Sequence, residues 1–308
     1  MSWFFKKIAS AALTLFLLST LTFFLIRVAP GGPFDGDRAW PPEIKANIDR
    51  KYGLDQPVTI QFAQWLKDVS HGDFRESFQY MGRPVTEMIS ESLPPSLLLG
   101  SWALMVSIVL GIPLGCLAAW KRGTWLDSSS MFIAVAGISL PSYLVASLLI
   151  LYFSLHLMWL PPALWEGWDS VILPVATLAL RPLAMIARLT RASMLETLSS
   201  EYIRTAYAKG LAPTRVIFKH ALRNSLIPVL TMIGPLAAGL VTGSFVVETV
   251  FQIPGMGRFF VQGVLNRDYP LVMGITLVYG AILVASNFVT DLMYGWADPR
   301  IRIREDVR

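Results

Sequence analysis

EYIRTAYAKGLAPTRVIFKHALRNSLIPVL, residues Glu201 to Leu230, is a polar, basic stretch set between long apolar runs. Its spacing predicts two short helices joined by a turn. Ile203, Ala206 and Tyr207 fall at i, i+3 and i+4 and form an apolar stripe, with Arg204 and Lys209 pointing away from it. Gly210 fits the position just past a helix C-terminus, where a left-handed backbone lets the chain turn. Pro213 fits the first turn of the next helix, where its missing N–H removes no hydrogen bond. A further apolar run follows Pro228. Such a hairpin lies against a membrane with one face free to meet something in the cytoplasm. The plainer alternative is an amphipathic helix resting on lipid.

Outward from the hairpin the chain is strongly apolar. Of 308 residues, 54% are hydrophobic and 15% charged, where an ordinary soluble domain carries about 25% charged residues. The apolar residues gather in runs of about 20, the length that crosses a hydrocarbon core of about 30 Å. Six spans are predicted, at roughly 8–28, 96–119, 129–154, 170–188, 226–250 and 271–293. The fold class is therefore all-α, a polytopic helix bundle. Asp127 is placed to cap the third span, Asp169 or Ser170 the fourth, and Pro270 stands just before the sixth. The apolar run after Lys6 and Lys7 is longer than a signal-peptide core and lacks a cleavage site after it, so it reads as a first transmembrane helix.

Basic residues set the orientation. Lys6 and Lys7, then Lys121 and Arg122, then the seven from Arg188 to Arg223, then Arg300, Arg302, Arg304 and Arg308 all fall on one side of a six-span chain. That side is expected to be the cytoplasm, with both termini on it. The net charge of +5 belongs to these flanks, so nucleic acid is not an expected partner. On the other side, segment 29–95 is expected to be helical. Ile44, Ile48 and Tyr52 share one face before Gly53, and Val58, Phe62, Trp65, Leu66 and Val69 share another before Gly72. Val85, Met88 and Ile89 read as a third short amphipathic piece at the surface. These helices are expected to pack on each other and on the rim of the bundle.

The central stretch resembles the coupling loop of permeases of the ATP-binding cassette importers. A Glu, small residues, a Gly and then Ile/Leu-Pro mark that pattern, matched here by Glu201, Ala206, Ala208, Gly210, Ile227 and Pro228. Tyr207 departs from it, since relatives often carry Arg or a small polar residue there. Val247 to Gly257 resembles the E-x-x-F-x-x-P-G-x-G run of peptide-importer permeases. Asn266 to Pro270, Ala297 to Arg302, Ala29 to Phe34 and Pro41-Pro42-Glu43 are similar to the same family. Together they cover nearly the whole chain and point to the B-type subunit of oligopeptide permeases, with dipeptide, nickel or other small-solute permeases as the alternative.

The resemblance implies the MetI-like fold of type I importers and a single 1–308 permease domain. That domain would include a 29–95 periplasmic helical segment and a 189–225 cytoplasmic hairpin. It implies as partners a second homologous permease subunit in a heterodimer, two ATP-binding cassette ATPase subunits, and a periplasmic peptide-binding protein that delivers the peptide substrate. The location implied is the bacterial inner membrane. Glu201, Ile203, Ala206, Tyr207, Gly210 and Pro213 would couple to the ATPase, while Arg181 and Glu248 would line the translocation path.

The chain carries no catalytic constellation by sequence. No Lys follows a Gly, so no Walker A loop exists, and His71, His156 and His220 form no zinc-binding pair. No G-x-S-x-G elbow appears, and the single Cys116 sits in an apolar run. No cofactor and no metal are expected. A self-contained secondary transporter would need internal repeats around a midplane site, and no such halves are visible. Arg181, beside Pro182, and Asp291 are charged residues at membrane depth, which face a cavity or a partner by default. A bond from Arg181 to a carbonyl freed by Pro182 is the structural alternative for that residue. Gly111–Gly115 and Gly239–Gly243 are spaced for close helix approach.

Overall fold

The computed structural model describes residues 2–28, 31–34 and 42–297. Ala29, Pro30, Pro41 and the run from Asp298, all named above, lie outside the described residues. In chain order the helices are α1 (Ser2–Val28), α2 (Pro42–Tyr52), α3 (Val58–Ser70), α4 (Val85–Trp120), α5 (Trp125–Ser139), α6 (Ser142–Leu149), α7 (Trp168–Leu198), α8 (Glu201–Ala208), α9 (Pro213–Arg215), α10 (Leu222–Ser225), α11 (Ile227–Thr242), α12 (Phe245–Val250), α13 (Met256–Leu265) and α14 (Tyr269–Ala297). Two π-helical segments join them, Ile150–His156 after α6 and Val216–Ala221 between α9 and α10. Among the described residues the β pairing is one isolated bridge, Glu76 to Pro84. The architecture is the expected all-α polytopic bundle.

Among the described residues, five helical stretches are long and apolar enough to cross a membrane: Phe4–Val28, Val85–Trp120, Trp168–Leu198, Ile227–Val250 and Tyr269–Leu292. The sixth expected span, 129–154, is not a single rod. α5 and the helix from Ser142 to His156 are bent by 108° at the break between them. Pro141 is the cause. It has no N–H to donate and disfavours the helical region for Leu140, which sits at φ −76°, ψ 130°. The count reaches six when the bent pair is one span.

A second correction concerns Val85, Met88 and Ile89. They are not a separate surface piece but the opening turns of α4, and they are buried. They pack with Met256, Leu271 and Ile275. Pro94 and Pro95 do not end the helix, as a membrane helix tolerates Pro where neighbouring groups take up the freed carbonyls.

The chain folds as two compact units, residues through Pro95 with Pro254–Val284, and Ser96–Ile253 with the residues from Ala285 on. In the first unit, Gly53 and Gly72 end α2 and α3 as expected, at φ +66° and +80°. α3 lays Phe62 and Trp65 against Phe23 of α1, with ring centroids 4.9 and 6.5 Å apart. Packing between these helices is thus the packing expected of them. Asp268, fully buried, caps α14. Its Oδ1 accepts from Leu271 N at 3.3 Å and Phe78 N at 3.1 Å, and the Ser77 hydroxyl donates to Oδ2. One carboxylate thus ties the 77–79 loop to the start of α14 through charge-assisted bonds. Pro270 lies inside the first turn of that helix rather than before it.

In the second unit α4 and α7 make their closest approach at Gly111 and Gly115. A Cβ at Gly111 would stand 2.9 Å from Leu183 O, and one at Gly115 would stand 2.7 Å from Thr190 Cβ and nearer still to Ala187 O. Ser107 Oγ sits in the same seam, 3.0 Å from Ala179 O. Gly239, expected to act likewise, has nothing within 4 Å of a built Cβ. The close approach of α11 is made instead by Gly234, whose Cβ would lie 2.7 Å from Ser286 O of α14. α7 starts at Trp168, with the Ser170 hydroxyl donating to Gly167 O at 2.6 Å. Its 31 residues reach roughly 46 Å at 1.5 Å per residue, longer than the hydrocarbon core. Its last turns lead into the hairpin.

Candidate functional site

The hairpin forms as its residues dictate. α8 ends at Ala208, Lys209 caps it, and Gly210 follows at φ +76°. Gly210 N donates to Tyr207 O at 2.9 Å and Leu211 N to Ala206 O at 3.4 Å. These two bonds make a Schellman turn, which satisfies the last carbonyls of α8. Pro213 opens the return helix at its first turn. That return is not the plain helix expected over 213–224, because Val216–Ala221 is π-helical. The wider i→i+5 turn lets Val216, Ile217 and Ala221 all face the core, where each is at most 1% exposed.

That core is shared with the membrane helices. Cys116 and Ala119 of α4, Met194 of α7, and Ile203 and Ala206 of α8 pack with the three π-segment residues. This corrects the expected role of two coupling residues. Ile203 is 1% exposed and Ala206 8%, so neither offers a surface to another protein. The apolar stripe is spent on seating α8 against α4 and α7. Tyr207 does not follow it inward and is exposed, as are Glu201, Gly210 and Pro213.

The outer face carries aromatics and bases that the sequence pattern did not single out together. Tyr202, Tyr207 and Phe218 are exposed, and Arg204, Lys209, Arg215, Lys219 and Arg223 are exposed on the same hairpin. The Tyr202 hydroxyl accepts from Asn224 Nδ2 at 2.8 Å, tying the two arms of the hairpin. Glu201 pairs with Arg204 at 2.9 Å, with both side chains largely in solvent, so this pair adds little to stability.

A pin at the base of the hairpin was not foreseen either. Asp127 does not cap its helix; Thr124 holds that position. Instead its carboxylate takes a two-pronged grip from Arg191 of α7, Nε to Oδ1 at 2.6 Å and Nη2 to Oδ2 at 2.8 Å, and accepts from Gly123 N at 3.1 Å. The signal available in sequence was only a buried-looking acid and a base 64 residues apart. Removing Asp127 leaves a guanidinium unpaired. Because Arg191 keeps 26% of its exposure, Asp127→Ala is expected to destabilise by roughly 2–3 kcal/mol, below the 3–5 of a fully buried pair. Thermal unfolding of the purified chain reads this as a lowered midpoint, and an unchanged midpoint would mean the pair carries no weight.

The two expected path residues part ways. Arg181 is exposed on α7 beside buried Pro182. Among the described residues, no hydrogen bond ties it to a carbonyl freed by that Pro. Glu248 is the opposite case, fully buried at 0% exposure. Its Oε1 accepts from the Ser96 hydroxyl at 2.9 Å and the Ser244 hydroxyl at 2.5 Å. It therefore lines no open path within its unit and serves as a polar tie between α4 and α12. Asp291 is half-buried near the end of α14. Among the described residues, no group of three His, Cys, Asp or Glu is arranged to hold a metal ion.

With this geometry in hand, the comparisons with known proteins decide the family. The model for binding-protein-dependent transport system inner membrane components matches residues 111–303, and the model for the N-terminal part of such components matches residues 1–95. The chain belongs to this family. Membership makes it a membrane permease component of the ATP-binding cassette importer class rather than an enzyme. It is 44% identical over 299 residues to the oligopeptide transport system permease protein OppB of Salmonella typhimurium, covering 96% of this chain and 98% of that one. It is 43% identical over 300 residues to the dipeptide transport system permease protein DppB of Bacillus subtilis, covering 97% of each. Among solved structures, an inward-facing MetNI methionine ABC transporter chain superposes with a TM-score of 0.59 at 20% identity, over 71% of this chain and all of that one. An amino acid ABC transporter chain gives 0.54 at 15% identity, over 68% and 94%. At these identities the structural likeness speaks for the MetI-like fold.

Proposed function

We propose that this chain is the channel-forming subunit of an ATP-driven, binding-protein-dependent importer of peptides, with the 201–225 hairpin as its contact to the ATPase. The observation that carries the reading is near full-length similarity to two peptide permeases at almost equal identity. Equal identity to oligopeptide and dipeptide relatives supports peptides as the substrate class without choosing their length. The exposed aromatic and basic face of the hairpin fits a groove on a partner, in the manner of helix-in-groove docking. The chain has no glycine-rich phosphate loop of its own, so ATP is bound by two partner ATPase subunits. A second, homologous permease subunit completes the path, and a periplasmic binding protein brings the peptide.

Within this reading Glu201, Tyr207, Gly210 and Pro213 remain coupling residues, joined by Tyr202 and Phe218, while Ile203 and Ala206 hold the hairpin from behind. Arg181, a cation exposed on a membrane-crossing helix, lines the translocation path. The membrane is the bacterial inner membrane. Basic residues in the opening turns of α1, between α4 and α5, in the hairpin and after α14 all fall in the cytoplasm when the bent pair counts as one span. Reporter fusions at Lys121, Gly210 and Arg302 are expected to read cytoplasm, and at Gln64 and Trp165 periplasm. A cytoplasmic signal at Gln64 would overturn this topology.

The test of the function is co-purification of the tagged chain followed by reconstitution. The expected result is a complex containing two ATPase subunits, a second permease subunit and peptide-dependent ATP hydrolysis in the presence of the binding protein. The chain purified alone is expected to bind no ATP at micromolar concentration, an affinity of about 8 kcal/mol. Recovery of a transport-competent chain without any ATPase would contradict the reading.

A further inference from the structure

We infer that the first compact unit contains a binding site for one small monovalent anion, walled by Arg27, Arg75 and Trp65. The site is a cavity of about 20 Å³ where α1, α3, the 75–78 loop and the start of α14 converge. That volume exceeds the 10–15 Å³ or so that a single water-sized occupant needs.

The lining is mostly aromatic and apolar, with Arg27, Gln61, Trp65 and Arg75 as its nitrogen donors. Arg27 donates to Phe23 O at 3.1 Å and to Gln61 Oε1 at 3.0 Å, both neutral acceptors. Its guanidinium lies 3.5 Å from the centre of the Phe23 ring and 5.0 Å from that of Tyr269. No carboxylate among the described residues neutralises it. A guanidinium has five N–H donors, so these two bonds leave others unspent. Gln61 is locked with its oxygen toward Arg27, because its amide nitrogen is tied to Leu54 O at 3.2 Å and Gln56 O at 2.8 Å. Arg75 shares its charge with Asp68 at 2.6 Å. It is held beside the cavity by a left-handed backbone, φ +65°. Trp65 is 4% exposed, and its indole N–H has no acceptor among the described residues.

Arg27, Arg75 and Trp65 therefore line one small space, and among the described residues Arg75 has a carboxylate partner and Arg27 has none. An orphaned buried donor is unfavourable, and so is a half-buried cation with no carboxylate beside it among the described residues. A single-atom anion such as chloride answers both at once. A water molecule would satisfy the indole N–H but would bring no charge to offset Arg27. The bound anion would clamp α1, α3 and α14 together within their unit.

The test uses the purified full chain in halide-free sodium gluconate, titrated with sodium bromide at constant ionic strength while the thermal unfolding midpoint is followed. The expected result is a saturable rise in the midpoint, with bromide anomalous scattering located among Arg27, Arg75 and Trp65 in crystals. Trp65→Phe keeps an aromatic ring but removes the N–H, and is expected to raise the half-saturating bromide concentration by about tenfold. Arg27→Gln is expected to abolish saturation, and it decides the question should Trp65→Phe not fold. Each variant is compared with its own gluconate baseline, so a general loss of stability does not mimic the effect. Equal midpoints in gluconate and bromide, or a response unchanged in both variants, would overturn the assignment and leave water as the occupant.

Discussion

Gly210→Val is expected to reduce peptide uptake to near background while membrane abundance of the chain stays close to wild type. Gly210 sits at φ +76°, and a Cβ there would meet nothing within 4 Å. The penalty is therefore conformational rather than steric against neighbours. A β-branched residue at positive φ is a true outlier, and strain of this kind amounts to about 1–3 kcal/mol. The cheapest relief is to unwind the Schellman turn, which would release the bonds from Gly210 and Leu211 to Tyr207 and Ala206. α8 would then change its angle to the π segment, and exposed Tyr202 and Tyr207 would shift relative to Phe218. The spans insert on apolar length and flanking charge, which the substitution does not touch. Lys209→Gln is the mild control. Glu201→Lys, which the sequence alone would rank beside Gly210→Val, is expected to be weaker, since its partner Arg204 is solvent-exposed. Uptake measured against immunoblotted abundance decides the matter, and normal uptake by Gly210→Val would remove the turn from the mechanism.

Gly115→Leu is expected to do the reverse, removing the chain from the membrane rather than uncoupling it. The first atom of the new side chain would already collide with Ala187 O and Thr190. Backbone atoms cannot swing aside, so α4 and α7 must separate along a seam that also holds Gly111 and Ser107. Overpacking of this kind costs about 1–3 kcal/mol and sometimes more, and here it falls on two helices that both lead to the hairpin core. Gly239→Ala is the matched control, because the same sequence spacing there meets open space. Quantified membrane fractions should show Gly115→Leu strongly depleted and Gly239→Ala near wild type. Equal abundance would show that the two glycine pairs are equivalent after all.

Most of the fold was legible because it rests on local signals. Apolar length announced the spans, and the order Gly210 then Pro213 announced the turn, each residue being suited to one side of a helix break. Where legibility ended, the deciding partner was distant or the local cue was outweighed. Hydropathy runs unbroken through Leu140-Pro141, which hid a bend of 108°, although Pro141 was its visible cause. The stripe of Ile203 and Ala206 was correctly seen as apolar, but its side could be assigned only through Cys116, Ala119 and Met194. Glu248 looked like a path residue because a carboxylate at a helix end gives no hint of Ser96, 152 positions away. In each such case, what burial requires was plain from the residue type, and which neighbour meets it was not.

The central claim is that the outer face of the hairpin touches the ATPase. A photo-crosslinking residue placed at Tyr207 in the assembled transporter tests it directly, with matched probes at buried Ile203 and at exposed Phe132 of α5. An ATPase adduct is expected from position 207, stronger when nucleotide closes the ATPase pair, and none from 203 or 132. An intact, transport-competent complex in which positions 202, 207 and 218 all fail to crosslink to the ATPase would contradict it.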